Sequence, residues 1–211
     1  MRLDHVSYAV SHSELLDTVQ RLGEKLGSTF KDGGRHPAFG TMNFVLPLAG
    51  GMYLEVVAPL EHPAADRAPF GQAVRQRVEA GGGWLGWVVA VKDMKAVEER
   101  LGRTAVDGHR RRPDGYDLQW RQIGVNDLLA NPQLPFLIEW VSPADEHPSV
   151  GGNGVSLTSM EICGESDAVR EYLGEPVKDP LDVVDVNFTA GEELGLQTVT
   201  FTTANGTVVI D

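Results

Sequence analysis

The chain has 211 residues, 42% hydrophobic and 23% charged, with 30 Asp and Glu against 18 Lys and Arg for a net charge of −12. That is a globular composition, and its acidity repels phosphate backbones and anionic lipid, which argues against nucleic-acid and membrane-surface partners. No apolar run approaches the ~18–20 residues of a membrane span.

The opening segment MRLDHVSYAV places Asp4 and His5 inside its hydrophobic run, so it does not read as a signal peptide. The single Cys163 cannot form an intrachain disulfide, and a cytoplasmic location is expected. Twenty-four glycines and twelve prolines between short apolar runs argue for many turns and against a helical bundle.

In chain order, Leu3 to Val10 alternates as a strand, with Leu3, His5 and Ser7 on one face and Val6, Tyr8 and Val10 on the other. A helix is expected from about Ser13, with Leu15, Leu16, Val19 and Leu22 as its apolar stripe and Gly27 as its C-cap. A turn beginning Asp32-Gly33 leads to a loop, Arg35-His36-Pro37. Strands follow over Thr41–Leu46 and Tyr53–Ala58. The same order then recurs. A strand over Trp87–Val91 precedes a helix-like stretch ending Leu101-Gly102, a turn at Asp107-Gly108 and a basic loop, Arg110-Arg111-Arg112-Pro113. Two further strands contain Leu118–Arg121 and Phe136–Trp140. The repeat places His5 on Gly86, 81 positions on, and Glu55 on Glu139, 84 positions on, each glutamate preceding a Glu-His-Pro tail, Glu61-His62-Pro63 and Glu146-His147-Pro148. In the second copy the polar face is taken as Gly86, Gln119, Arg121 and Glu139. After a linker-like Pro143–Gly154, a weaker third copy has a strand at Val155–Ile162, a helix at Asp167–Leu173, and strands at Val183–Phe188, Gln197–Thr203 and Thr207–Ile210.

The fold class is therefore α+β: tandem βαβββ modules of mixed sheet, which the resemblance given below implies are cupped, with a third, degenerate βαβββ-like segment at the C-terminus. The modules span about 1–63 and 84–148 of a 1–148 domain, and residues 155–211 form the module packed on them.

With His on its first strand and Glu on its fourth, this paired module resembles the vicinal-oxygen-chelate superfamily of glyoxalases, bleomycin-resistance proteins and extradiol dioxygenases. The glyoxalase-like domain family is the nearest pattern. The residues that carry it are Leu3-Asp4-His5-Val6, Gly33-Gly34-Arg35-His36-Pro37, Tyr53-Leu54-Glu55, Arg111-Arg112-Pro113-Asp114-Gly115 and Pro135-Phe136-Leu137-Ile138-Glu139-Trp140. The resemblance implies a ligand cup between the modules and metal ligands at His5, Glu55, Gly86 and Glu139. Gly86 cannot ligate, so the expected metal set is His5, Glu55 and Glu139, suited to Zn, Mn, Fe or Ni. The bland alternative is that His5 is a hydrogen-bonded pocket residue and the glutamates pair with cations, Arg121 with Glu139. Glu55, Glu139 and His36 are the candidates for proton transfer. Asn43, Tyr53, Arg112, Gln119 and Arg121 are the candidates for holding a ligand. Arg110 and Arg111 read as surface, His62 and His147 as structural turns, and His12 and His109 as exposed.

Two functions follow. One is isomerase or lyase chemistry on a small oxygenated metabolite, with or without a divalent metal. The other is metal-free binding or sequestration of the bleomycin-resistance type, favoured by Gly86. No P-loop, G-x-G-x-x-G or G-x-S-x-G is present, so no nucleotide cofactor is expected. The partner is a small molecule, and the chain acts as monomer or homodimer.

Overall fold

The computed structural model describes residues 1–152, 154–174 and 183–211; Asn153 of the linker-like stretch lies outside them. The first module runs β1 (Arg2–Ala9), α1 (Leu15–Leu26), β2 (Lys31–His36), β3 (Thr41–Pro47) and β4 (Tyr53–Pro59). Two short helices, α2 (Pro63–Arg67) and α3 (Pro69–Glu79), lead to the second module: β5 (Gly83–Ala90), α4 (Met94–Leu101), β6 (Val106–Arg111), β7 (Asp117–Ile123), α5 (Asp127–Ala130) and β8 (Phe136–Trp140). The third copy is β9 (Ser156–Cys163), α6 (Ser166–Leu173), β10 (Asp185–Thr189), β11 (Gly195–Thr203) and β12 (Gly206–Ile210). This is the α+β class expected from the sequence. Among the described residues no helix is long and apolar enough to cross a membrane.

The strands of the two modules close into one eight-stranded barrel in the order β1-β4-β3-β2-β6-β7-β8-β5, while β10-β9-β11-β12 form a separate sheet. Antiparallel pairing joins the modules at β1–β5, where His5 faces Val88 and Ser7 faces Gly86. Adding 81 to each β1 residue reproduces this pattern from the other strand, so the 81-residue offset is the true symmetry of the barrel. Helices α1 and α4 lie outside the barrel, and their apolar stripes share a core with Leu3, Val6, Trp87 and Val89 and with Leu157, Met160 and Phe201 of the third sheet. The barrel interior and α3 form a second cluster around Val57, Phe70, Val88, Trp120, Phe136 and Ile138. Trp84 Nε1 donates to Ile210 O at 3.0 Å, tying the third module to the base of β5.

The expected turns at Asp32-Gly33 and Asp107-Gly108, together with Arg35, His36, Arg110 and Arg111 of the basic loops after them, lie instead in strands β2 and β6. The reason is room. A Cβ on Gly33 would stand 2.1 Å from Asn43 Oδ1, and one on Gly108 2.3 Å from Trp120 Nε1. These glycines admit a neighbouring side chain rather than bend the chain. The second joint between the modules, β2–β6, is thin, with Arg35 opposite Arg111. Beside it Gly34 has φ +94, and a Cβ there would lie 2.0 Å from Arg111 O. Gly34→Ala is therefore expected to force β2 from β6 and cost about 2–4 kcal/mol, measured by urea denaturation. An unchanged midpoint would show that this seam does not need the close approach.

Candidate functional site

Strand alternation decides what the barrel encloses. From the first module, β1 turns His5 and Ser7 inward, β2 His36, β3 Thr41 and Asn43, and β4 Tyr53 and Glu55. All seven are buried. From the second module, β6 turns in Arg110, β7 Trp120 and Gln122, and β8 Phe136, Ile138 and Trp140, and these border a cavity of about 30 Å³ together with His5, His36, Tyr53 and Glu55. Phe39, from the turn after β2, and Phe70, from α3, complete the wall.

The polar groups are linked. Glu55 accepts from Ser7 Oγ and from Asn43 Nδ2, each at 2.5 Å. Asn43 Oδ1 in turn accepts from Arg110 Nη1 at 2.9 Å, so one amide joins a carboxylate of β4 to a guanidinium of β6. Burial would raise the Glu55 pKa, but electrostatic interaction with the neighbouring imidazoles of His5 and His36 and the two hydrogen bonds bring it below its ordinary value. Burial lowers that of Arg110, which stays cationic as guanidinium does. Arg110 Nε is buried and has no hydrogen-bond partner. His36 Nδ1 lies 2.9 Å from Thr41 Oγ1. Burial is the main reason its pKa falls to about 3, with Glu55 opposing and Arg110 assisting, so the ring is neutral at neutral pH. Burial likewise raises the Tyr53 phenol well above its usual value, keeping it a donor.

Behind this cavity is a second knot, centred on Asp4, which is fully buried. Its carboxylate meets His5 Nδ1 at 3.0 Å, His147 Nε2 at 3.1 Å, Arg2 Nη2 at 3.0 Å and Trp140 Nε1 at 3.2 Å. Burial opposes ionisation here, yet the hydrogen bonds from His147 and His5 outweigh it and hold the carboxyl below the usual range. A carboxylate only accepts, so His5 Nδ1 donates to it, and Nε2 is left facing Glu55 Oε2 at 4.0 Å. Tyr53 stacks on the His5 ring at 4.3 Å. Ser149 N donates to His147 Nδ1, which leaves the His147 Nε2 proton for Asp4.

The structure thus brings His5, His36, Asn43, Tyr53 and Glu55 together and leaves the other candidates outside. Glu139 lies on the outer face of β8, accepting from Met94 N at 3.2 Å where α4 begins, with Arg121 at 3.8 Å. The sequence repeat misaligned it. At the 81-residue offset Glu55 corresponds to Phe136, as the pairings Ser7–Glu55 and Val88–Phe136 show. An 84-residue offset is three residues out, and an odd shift reverses the strand face. For the same reason Arg121 and Gln119 point outward, Arg121 to Glu98 at 3.0 Å and Gln119 to Asp117 at 2.9 Å. Arg112 pairs with Asp114 and Glu146 at the surface, at 2.7 and 2.8 Å. Arg110, read as surface, is the arginine inside. Sequence reasoning also missed Asp4, His147 and Gln122. A charge inside an otherwise apolar strand run, as at Asp4 in Leu3-Asp4-His5-Val6, was the available signal.

The proposed metal triad does not fit. Glu139 is on the wrong face, both Glu55 oxygens are already engaged, and the Arg110 cation stands on the same network. Among the described residues no group of three His, Cys, Asp or Glu could hold a metal ion.

Two βαβββ modules closed around a shared polar interior define a vicinal-oxygen-chelate fold. The chain belongs to the glyoxalase-like domain family, whose model matches residues 3–176. Among solved structures, a hypothetical protein from Staphylococcus aureus is similar in fold, with a TM-score of 0.74 at 14% identity over 97% of this chain and 92% of that one. Methylmalonyl-CoA epimerase from Mycobacterium tuberculosis is a more distant match, with a TM-score of 0.45 at 16% identity over 67% of this chain and 89% of that one. A single-residue variant of the Streptomyces coelicolor methylmalonyl-CoA epimerase, in complex with 2-nitronate-propionyl-CoA, gives 0.47 at 17% over 67% and 99%. No curated protein matches.

The His36 shift has a stability consequence. Its folded-state pKa lies below the ordinary 6.5, so between about 3 and 6.5 the unfolded chain holds the extra proton. The stability contribution is therefore intact above pH 6.5 and is lost on acidification. Urea denaturation at pH 7 and pH 5 is expected to show His36→Gln losing about 2 kcal/mol less than the parent over that interval. Parallel losses would place the titration elsewhere.

Proposed function

We propose that this protein binds a small oxygenated metabolite inside the barrel, its carboxylate or carbonyl oxygen accepting from Arg110, without a metal at His5, Glu55 and Glu139. The observation that carries this reading is the buried, unpartnered Arg110 Nε at a cavity lined mainly by aromatic rings. An unsatisfied buried donor costs about 1–3 kcal/mol, and a ligand oxygen would recover that. Gln122, Tyr53 and neutral His36 would supply further hydrogen bonds. All eight strands of the barrel come from one chain, so the site needs no second copy. We place the protein in the cytoplasm, in keeping with its buried free Cys163.

The Asp4–His5 hydrogen bond favours a second, enzymatic reading of isomerase or lyase type. Asp4 fixes the tautomer that presents Nε2 to the interior, where it could take a proton from the carbon beside a ligand carbonyl. Glu55 suits that role less well, because both its oxygens already accept hydrogen bonds.

Calorimetric titration with pyruvate and acetate tests the leading reading. Arg110→Met is expected to weaken binding about 10- to 100-fold, while Glu139→Gln leaves it unchanged. Retained affinity in Arg110→Met, or an equal loss in Glu139→Gln, would sink it.

A further inference from the structure

We propose that the ligand carries a carboxylate or carbonyl head on an apolar tail, the head entering the barrel while the tail lies in the cleft beyond Phe39, Phe70 and Gln122. This rests on the ligand reading above and adds the class of molecule and a second subsite.

The argument begins from size. The interior of about 30 Å³ has room for about two waters, hence for a carboxylate or carbonyl group and little else. Whatever else the ligand carries must leave the barrel, and among the described residues two chambers are seen to adjoin it. One, of about 430 Å³, shares Phe39, Phe70 and Gln122 with the interior. The other, of about 180 Å³, shares Arg110. A third cleft of about 640 Å³, between α3 and the C-terminal sheet, shares no side chain with the interior.

Chemistry separates the two neighbours. The larger is walled by Pro69, Val106, Ile123 and Val125 besides the two phenylalanines, with Arg103 and Asp127 as an ion pair at its edge. Its volume lies within the ~300–1,000 Å³ of small-molecule sites. The partition is two aromatic rings, edge to face at 5.8 Å, and one amide. Phe39 is half-buried on a turn, so its ring can swing without moving a strand. The smaller chamber is bordered by Lys31, Asp32, Arg112 and Glu146, and a tail could reach it only past Arg110. Displacing Arg110 would break its bond to Asn43 and carry the cation away from Glu55. An apolar tail is therefore directed past Phe39 and Phe70.

Calorimetric titration with pyruvate and with 2-oxooctanoate tests this on the parent, Val106→Trp and Val150→Trp. Val106 and Val150 are 61% and 47% exposed, one at each chamber, so both variants should fold. The parent is expected to bind 2-oxooctanoate at least about tenfold more tightly than pyruvate. Val106→Trp should abolish that preference while leaving pyruvate affinity unchanged, and Val150→Trp should alter neither. Equal affinity for the two acids on the parent would overturn the subsite and leave the ligand reading standing. So would a preference erased by Val150→Trp and not by Val106→Trp. If neither acid binds, the ligand reading itself fails.

Discussion

The constraint on which the rest depends is the burial of an ionised carboxylate, Glu55, at the centre of a barrel with aromatic walls. Such a charge is costly unless every lone pair finds a donor or a cation stands near. Here Ser7 and Asn43 provide the donors, and Asn43 passes the contact on to Arg110. Because Ser7, Asn43 and Glu55 belong to the first module and Arg110 to the second, charge neutralisation doubles as the bond between modules. It is made beside β2–β6, where main-chain pairing is thinnest. Gly33 belongs to the same arrangement, since any larger residue would displace Asn43 Oδ1 and Arg110 Nη1 together.

The Asp4 knot joins the start of the first module to the end of the second, as Glu55 joins their interiors. Two histidines, an arginine and a tryptophan converge on one carboxylate, and they come from β1, β8 and the segment after it. The result orients His5 from behind while Tyr53 holds its face. His5 therefore has its rotamer and tautomer decided before any ligand arrives, which is the preorganisation a binding or proton-transfer site requires.

The fold was legible because its signals are local. Period-two and helical stripes marked most elements, and Gly27 and Gly102 closed α1 and α4 with φ near +60°. The third copy also matches its expected elements closely, with α6 over Ser166–Leu173 and β11 ending at Thr203. The first module's half of the site followed from the same alternation, since His5, Asn43, Tyr53 and Glu55 share the inward face. What failed was non-local. Asp-Gly is the usual signature of a turn, and only the positions of Asn43 and Trp120 reveal that Gly33 and Gly108 are glycine for space. With β6 taken for a loop, no alternation remains to separate Arg110 from Arg111.

The misaligned glutamate explains the character of the interior. At the true offset, His5 and Glu55 of the first module correspond to Gly86 and Phe136 of the second, so two polar positions face one empty and one apolar. The barrel is pseudo-symmetric in backbone and asymmetric in chemistry. Its ionisable lining comes from β1, β2 and β4, joined by Arg110 alone from the other module, while Trp120, Phe136, Ile138 and Trp140 make an apolar half. In the proposed reading, a ligand turns its oxygen toward Arg110 and its carbon toward Trp120, Phe136, Ile138 and Trp140. A four-donor metal cage needs polar positions from both modules, and Gly86 and Phe136 offer no donor. Phe136 instead packs its ring edge-on against His5 at 5.9 Å and meets Phe70 at 6.4 Å. The second module thus supplies a wall where the first supplies donors, and the interior is polar on one side and apolar on the other.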